Sequence, residues 1–192
     1  QAEGTGSYAL AATSSEGVWY SADSGATWNA SAGIPSGTVV LQILLNGSVA
    51  YASTYAGFYR SMDHGASWTF RSSGYPSPFI SIGGRLVGGV GMNGIWISDD
   101  EGATWTSSNS GLPISYFMGQ AQYPSSSSIC AGDSAIFIST GRGLFRSNNN
   151  GASWGLVAFA DQALPSVTVS HDTLVVSRGS DIQISVDDGQ SW

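Results

Sequence analysis

Apolar and polar residues alternate along this chain in short runs, each stopped by Gly, Pro, Asn, Asp or Ser. Alternation with a period of two is the pattern of a half-buried β-strand. It predicts strands over residues 8–13 and 18–22, with a return strand from Thr27. Further on, strongly apolar strands are predicted at 38–45, 78–82, 115–119 and 166–170, each followed by a second strand at 49–53, 85–89, 135–139 and 173–177. The links that precede the apolar strands repeat as well: Gly33-Ile34-Pro35, Gly74-Tyr75-Pro76, Gly111-Leu112-Pro113 and the variant Ala163-Leu164-Pro165. Proline fixes φ and cannot donate to a ladder, so it belongs between sheets rather than inside them.

One stretch recurs five times. Ser21-Ala22-Asp23-Ser24-Gly25-Ala26-Thr27-Trp28 returns at 61–68, 98–105, 147–154 and 185–192, and the pattern is S-x-D-x-G-x-[ST]-W with Asn149 in the fourth acidic position. Upstream, Gly17-Val18-Trp19, Gly57-Phe58-Tyr59, Gly94-Ile95-Trp96 and Gly143-Leu144-Phe145 share one pattern, whereas Asp181-Ile182-Gln183 lacks its Gly and aromatic. Each copy reads as a strand entering a tight turn. The Asp or Asn accepts backbone hydrogen bonds, the Gly takes positive φ, and the Trp covers the hairpin. The carboxylates are therefore expected to be occupied within their own turns. The repeat serines at 21, 61, 98, 147 and 185 are spaced by 40, 37, 49 and 38 residues. Such a period marks a propeller or a solenoid.

The motif resembles the Asp-box, or bacterial neuraminidase repeat, and its five matches span residues 17–192. That resemblance implies an all-β Asp-box β-propeller with the box between the third and fourth strands of each blade. The structural box residues are then Asp23, Trp28, Asp63, Trp68, Asp100, Trp105, Asn149, Trp154, Asp187 and Trp192. It leaves function open, because such boxes occur in sialidases, xyloglucan-cleaving glycoside hydrolases, sortilin-type receptors and photosystem assembly factors. Residues 1–192 are expected to form one propeller domain, with the strands that follow each proline innermost and the stretch 120–133 an exposed insertion in the fourth unit. Residues 1–7 read as an irregular lead-in, so the first unit is expected to lack its innermost strand; the last stops at Trp192 before an outermost one. Two outcomes follow: part of a six- or seven-bladed ring, or an irregular five-bladed ring in which the first residues serve as the closing strand.

Composition narrows the partners. Charged residues make up 10% of the chain, against roughly 25% in an ordinary domain. Lysine is absent, all six basic residues are Arg, and the net charge is −7. No basic stripe exists to neutralise phosphates, so nucleic acid and anionic membrane surfaces are disfavoured. No apolar run reaches the length of a transmembrane helix. A single cysteine, Cys130, excludes an intrachain disulfide. Low charge and the habit of the resembled family point to an extracellular or cell-envelope protein. A start at Gln1 is expected of a processed or trimmed N-terminus. Asn29 and Asn46 match the N-glycosylation acceptor pattern.

Catalytic chemistry finds little to build on. The resemblance to sialidases would require an arginine triad, a Tyr/Glu pair and an Arg-Ile-Pro motif. Only Arg60, Arg71, Arg85, Arg142, Arg146 and Arg178 are available, and the motif is missing. Arg60 and Arg146 occupy equivalent places in the repeat and read as structural. The glutamates are Glu3, Glu16 and Glu101, none in a persuasive place. Glycoside hydrolysis needs two carboxylates across a cleft; Asp99, Asp133, Asp161, Asp172, Asp181 and Asp188 cannot be paired from sequence. The stretch 89–94 fits G-x-G-x-x-G but leads into a strand, so it reads as a turn rather than a dinucleotide site. Asp187-Asp188-Gly189 and 99–102 lack the ligand spacing of a calcium loop, and His64 and His171 lack partners for zinc. No catalytic residue, metal or cofactor is assigned.

The remaining expectation is a loop face that binds a ligand, with Tyr55, Tyr75, Asn93, Arg142 and Arg178 as candidates. Exposed aromatics beside Asn and Arg stack on sugar rings or anchor a protein. These loops do not repeat a binding signature, which argues for one composite site rather than a multivalent lectin. The sequence reading is a non-enzymatic extracellular binding or scaffold module for a glycan or protein partner. The alternatives are a glycoside hydrolase (sialidase- or xyloglucanase-like) or a fragment of one, and an assembly protein that self-associates through unclosed blade edges.

Overall fold

The computed structural model describes residues 2–170 and 173–192; His171 and Asp172, weighed above, lie outside them. Among the described residues the chain is all-β apart from one short 3₁₀ turn at Gly91–Asn93. Its strands form antiparallel meanders in chain order. The first sheet holds β1 (Ala2–Thr5), β2 (Tyr8–Ala12), β3 (Val18–Ser21) and β4 (Asn29–Ala30). The second holds β5 (Val40–Asn46), β6 (Val49–Thr54), β7 (Gly57–Ser61) and β8 (Thr69–Ser72), and the third β9 (Phe79–Ile82), β10 (Arg85–Gly89), β11 (Ile95–Ser98) and β12 (Thr106–Ser107). A separate hairpin follows, β13 (Ser115–Phe117) with β14 (Gln120–Gln122). The fourth sheet holds β15 (Ser126–Ala131), β16 (Ile136–Thr140), β17 (Gly143–Ser147) and β18 (Gly155–Ala158). The fifth has three strands, β19 (Ser166–Ser170), β20 (Thr173–Arg178) and β21 (Asp181–Ser185).

Two expectations need correction. The residues read as an irregular lead-in contain β1, which pairs with β2 in register Ala2↔Ala11 through Thr5↔Tyr8, so the first sheet has its full four strands. The stretch 115–119, expected as the first strand of the fourth sheet, is instead one arm of the exposed β13–β14 hairpin. The first strand of that sheet is β15, inside the stretch read as an exposed loop or extended hairpin. Serine is a turn former, so four in a row mimic a loop. Here Ile129 buries into the core, and Ser128 donates to the Val167 carbonyl at 2.9 Å.

The recurring turn joins the third strand of each sheet to whatever follows. In the first copy Ser21 Oγ donates to Asp23 Oδ1 at 2.8 Å and accepts from the Gly25 N–H at 2.8 Å. Asp23 Oδ1 also accepts from the Thr27 N–H at 2.8 Å, and Thr27 Oγ1 donates to Asp23 Oδ2 at 2.6 Å. The Asp63 and Asp187 turns repeat the scheme with Ser67 and Ser191. Thr104 makes the same two bonds to Asp100. In the fourth turn Asn149 Oδ1 takes the acceptor part, and its Nδ2 donates to Ser153 Oγ at 2.9 Å. The bond from the Thr27 hydroxyl holds the Asp23 carboxyl down at about 2, and the Ser191 hydroxyl does the same for Asp187, also at about 2. At Asp63 burial pushes upward, but the bonds from Ser67 and Ser61 outweigh it and the net direction is down.

Residue contacts divide the chain into two compact units, Gln1–Ser77 with Asp99–Trp105, and Pro78–Ser98 with Thr106–Trp192. In the first unit, Leu10 and Val18 of the first sheet pack on Ile43, Ala50, Ala52, Tyr59 and Trp68 of the second. In the second unit, Val87 and Ile95 pack on Ile129, Ile136 and Ile138, while Leu144 and Phe137 share a core with Val167, Leu174 and Val176. The glycine of each later turn presses onto the preceding sheet. A Cβ on Gly65 would collide with Leu10, and one on Gly102 with Phe58, so neither position admits a side chain. Phe58, fully buried, also meets the Trp105 ring edge-on at 5.2 Å between centroids. Polar clamps accompany these contacts. Arg60 pairs with Glu101, Arg146 pairs with Asp188 at 3.3 Å, and Ser31 Oγ donates to the Gly65 carbonyl at 2.6 Å. The arginines at equivalent repeat positions thus reach the acidic side chain of the next turn.

Candidate functional site

The β13–β14 hairpin is the feature that repetition does not account for. Its register is Ser115↔Gln122, Tyr116↔Ala121 and Phe117↔Gln120. Met118 and Gly119 both have positive φ, 50° and 79°, the backbone of a two-residue hairpin turn. Met118 is 88% exposed and Tyr116 73%, and Ile114 and Phe117 are exposed beside them. Four large apolar side chains thus stand in water within five consecutive positions, 114–118. A cluster of this kind is unusual on a protein surface and points to a contact.

The hairpin is anchored at its base. The Tyr123 N–H donates to the Met92 carbonyl at 2.9 Å, and Leu112 is buried in the core. Asn109 braces the neighbouring loop. Its Oδ1 accepts from the Ile95 N–H at 2.7 Å and its Nδ2 donates to the Asn93 carbonyl at 2.9 Å. Three grooves flank this base, all within the second unit. One of ≈ 520 Å³ runs past Asn93, Trp96, Ile114 and Tyr123. A second, ≈ 260 Å³, lies between Met92, Tyr123 and Arg142 and shares Tyr123 with the first. A third, ≈ 350 Å³, contains Pro113, Arg142, Leu156 and Asp161. Arg142 therefore borders two of them, held by an exposed ion pair to Asp161 at 3.0 Å.

The structure brings the sequence-derived candidates together only in part. Asn93 and Arg142 both line grooves at the hairpin base. Tyr55 and Tyr75 lie in the other unit as an exposed edge-to-face pair, 6.2 Å between centroids. Arg178 lies over the Phe159 ring at 5.7 Å, and Phe159 in turn meets Trp192 at 4.9 Å. Sequence reasoning missed Ile114, Tyr116, Phe117, Met118, Trp96 and Tyr123. The signal for the hairpin was present in the 49-residue spacing and in the Met-Gly turn pair, but the surplus residues were placed after the apolar run instead of within it.

The acidic residues of the recurring turns are engaged in those turns, and Glu101, Asp161 and Asp188 are ion-paired. Among the described residues, no group of three His, Cys, Asp or Glu is placed to hold a metal. Burial pushes the Cys130 thiol up to about 12, far from a reactive thiolate. His64 stacks on Tyr8 at 3.6 Å.

No family model and no curated protein matches the sequence. Solved structures do. The xyloglucanase of glycoside hydrolase family 74 from Xanthomonas campestris superposes with a TM-score of 0.72 at 16% identity, over 96% of this chain and 35% of its own. YCF48 bound to D1 peptide gives 0.66 at 15% identity, over 96% of this chain and 62% of its own. PorZ, a surface component of the type-IX secretion system of Porphyromonas gingivalis, gives 0.73 at 10% identity, over 100% of this chain and 32% of its own. The chain therefore spans about a third of the xyloglucanase and PorZ chains and under two thirds of YCF48. All three are β-propeller proteins, and the likeness shows that fold for this chain.

Proposed function

We propose that this chain is a non-enzymatic binding module, a single propeller domain over 1–192 built on five Asp-boxes, whose β13–β14 hairpin anchors a protein partner. One observation carries the reading: Ile114, Tyr116, Phe117 and Met118 project from a firmly based hairpin with water around them. Aromatic and Met side chains at such a tip are the residues that dominate protein interfaces. The grooves at the base add Arg142 and Asn93 for polar groups of an extended peptide, and Trp96 and Tyr123 for its apolar side chains. YCF48, among the similar structures, was solved with a peptide bound. Support for an extracellular or cell-envelope location comes from the surface component PorZ and the exposure of both glycosylation-pattern residues, Asn29 and Asn46.

The test is a peptide-display selection against the chain, run beside a glycan array, followed by titration of the hits on a Tyr116→Ser/Phe117→Ser/Met118→Ser variant. Peptides that bind the parent and lose at least about tenfold on the variant support the reading, since an aromatic anchor contributes upwards of 1.4 kcal/mol. Ligands that bind both proteins equally, glycan hits without peptide hits, or turnover of xyloglucan or a sialoside overturn it.

A further inference from the structure

The fourth recurring turn runs its last hydrogen bond the other way. In the four Asp turns the carboxylate accepts from the final hydroxyl: Thr27, Ser67, Thr104 and Ser191 each donate to it at 2.5 to 2.6 Å. In the fourth, Asn149 Oδ1 accepts from Ser147 Oγ and from the Ser153 N–H, both at 2.9 Å. Those two donors fix the amide, so Nδ2 faces Ser153 Oγ and donates to it at 2.9 Å. An NH2 group cannot take a proton in return. The Ser153 hydroxyl therefore accepts where its counterparts donate, and its own proton meets no acceptor among the described residues.

The adjoining strand leaves room for a group that could use that proton. Register sets Asn29 opposite Tyr20, Thr69 opposite Arg60 and Thr106 opposite Ile97, but Gly155 opposite Arg146. Directly opposed residues share a face of the sheet, so the side chain that stands beside Arg60 is missing beside Arg146. A groove of ≈ 440 Å³ lies there, bordered by Arg146, Asn148, Asn149, Ser153, Gly155 and Leu156. A Cβ on Gly155 would meet nothing within 4 Å, so packing does not demand the glycine. Glycine weakens a strand interior and often marks the close approach of a ligand.

The lining is rich in donors and holds no carboxylate. Arg146 brings the charge. Its Nη2 pairs with Asp188 at 3.3 Å, while its Nε is buried without a hydrogen-bond partner. Arg60 Nε is unpartnered in the same way, but there Thr69 stands opposite and Asp63 keeps the turn acidic. Asn148 adds an exposed amide.

We infer that this groove is an oxyanion site. It takes a carboxylate or sulfate group, held by the Arg146 charge, the Ser153 hydroxyl and the amides of Asn148 and Asn149, with the rest of the ligand along Gly155 and Leu156. Hydrogen bonds to an ionised acceptor are the strong ones, and the volume falls in the range of small-molecule sites. The site shares Leu156 alone with the grooves at the hairpin base and stands independently of the function proposed above.

The experiment is an amide NMR titration of the 192-residue chain with sulfate, acetate and glucuronate at low ionic strength, and with glucose as the neutral control. Two variants accompany it. Asn149→Asp restores the carboxylate that the other four turns carry, and Gly155→Thr installs the residue that stands opposite Arg60. Each copies a solution this chain already uses, so both are expected to fold, and their urea midpoints check it. In the parent, the Ser153 and Gly155 amides are expected to shift with at least one oxyanion and not with glucose. Each variant is expected to bind at least about tenfold more weakly. Sulfate and acetate report the bare group, and a tighter response to glucuronate than to either shows that the oxyanion is carried on a sugar. No oxyanion response at Ser153 and Gly155, an equal response to glucose, or binding that either folded variant retains in full overturns the proposal.

Discussion

Asp23 and Asp187 sit on the surface, yet both carboxyls are held at about 2 by hydroxyl and backbone donors inside their own turns. The sign of the consequence follows from linkage. Their folded values lie below the ordinary carboxylate value of about 4, so the stabilisation is complete above that pH and is lost as pH falls towards 2. Asp63 acts in the same direction. The urea midpoint should be flat near neutrality and drop in that acid window. Asn149 shows that an amide can hold the same turn, accepting from the Ser153 N–H at 2.9 Å. An Asp23→Asn/Asp187→Asn variant should therefore fold and show a shallower acid limb in the same titration. An unchanged limb would mean that other carboxylates set it. This part of the molecule was readable in advance, because each turn is local: donor and acceptor lie within a few residues, and the S-x-D-x-G-x-[ST]-W spacing prescribes who meets whom.

At the scale of elements, legibility declined with the sequence distance over which a strand finds its place. The second strands of the second and third sheets were found where Val49–Thr54 and Arg85–Gly89 now lie, because a hairpin partner sits close by in sequence. β1 was missed because Ala2–Thr5 has almost no apolar alternation and owes its state to pairing with β2. β15 was missed because its serines are turn formers by habit, and only pairing with β16 makes them a strand. The β13–β14 hairpin was taken for sheet because Tyr116 and Phe117 favour strands, and they do form one, but facing water. Of the five ligand candidates, Asn93 and Arg142 line the grooves here, because sequence names loops without saying which of them converge. The hairpin packs only through its base, so its energetic weight in the fold is small. Replacing residues 114–122 by a short Gly-Ser link should change unfolding free energy by no more than about 1 kcal/mol, read as a urea midpoint. A loss of several kcal/mol would show that the tip is buried in solution.

Across the whole molecule, cohesion is shared between apolar joints and a scarce set of charges. With 10% charged residues and no lysine, most of the attraction between neighbouring repeats is burial of residues such as Leu10, Phe58, Val87 and Leu144. The few arginines are spent at seams. Arg60 and Arg146 pair with the next turn, Arg71 donates to the Glu101 and Asp100 carbonyls at 3.2 and 2.8 Å, and Arg85 donates to the Asn150 carbonyl at 3.1 Å. Arg142 lies instead in the short turn between β16 and β17, with its side chain half in solvent. Repetition made the fold class legible from one sequence; the allocation of each arginine to a seam or to solvent required the three-dimensional register.

That allocation has a consequence for the survival of the chain among proteases. Trypsin cuts after Arg and Lys, and a chain without lysine offers it six places. A bond is cut in the native state only where the backbone opens locally, and residues tied across a seam open least. The first nick should fall after Arg142, giving fragments 1–142 and 143–192, with Arg60 and Arg146 intact while the fold lasts. Mass spectrometry of a brief digest checks this, and early cleavage at Arg60 would show that the seam opens more easily than its contacts imply. By committing its cations to the joints, the chain leaves an Arg-specific protease little to grip.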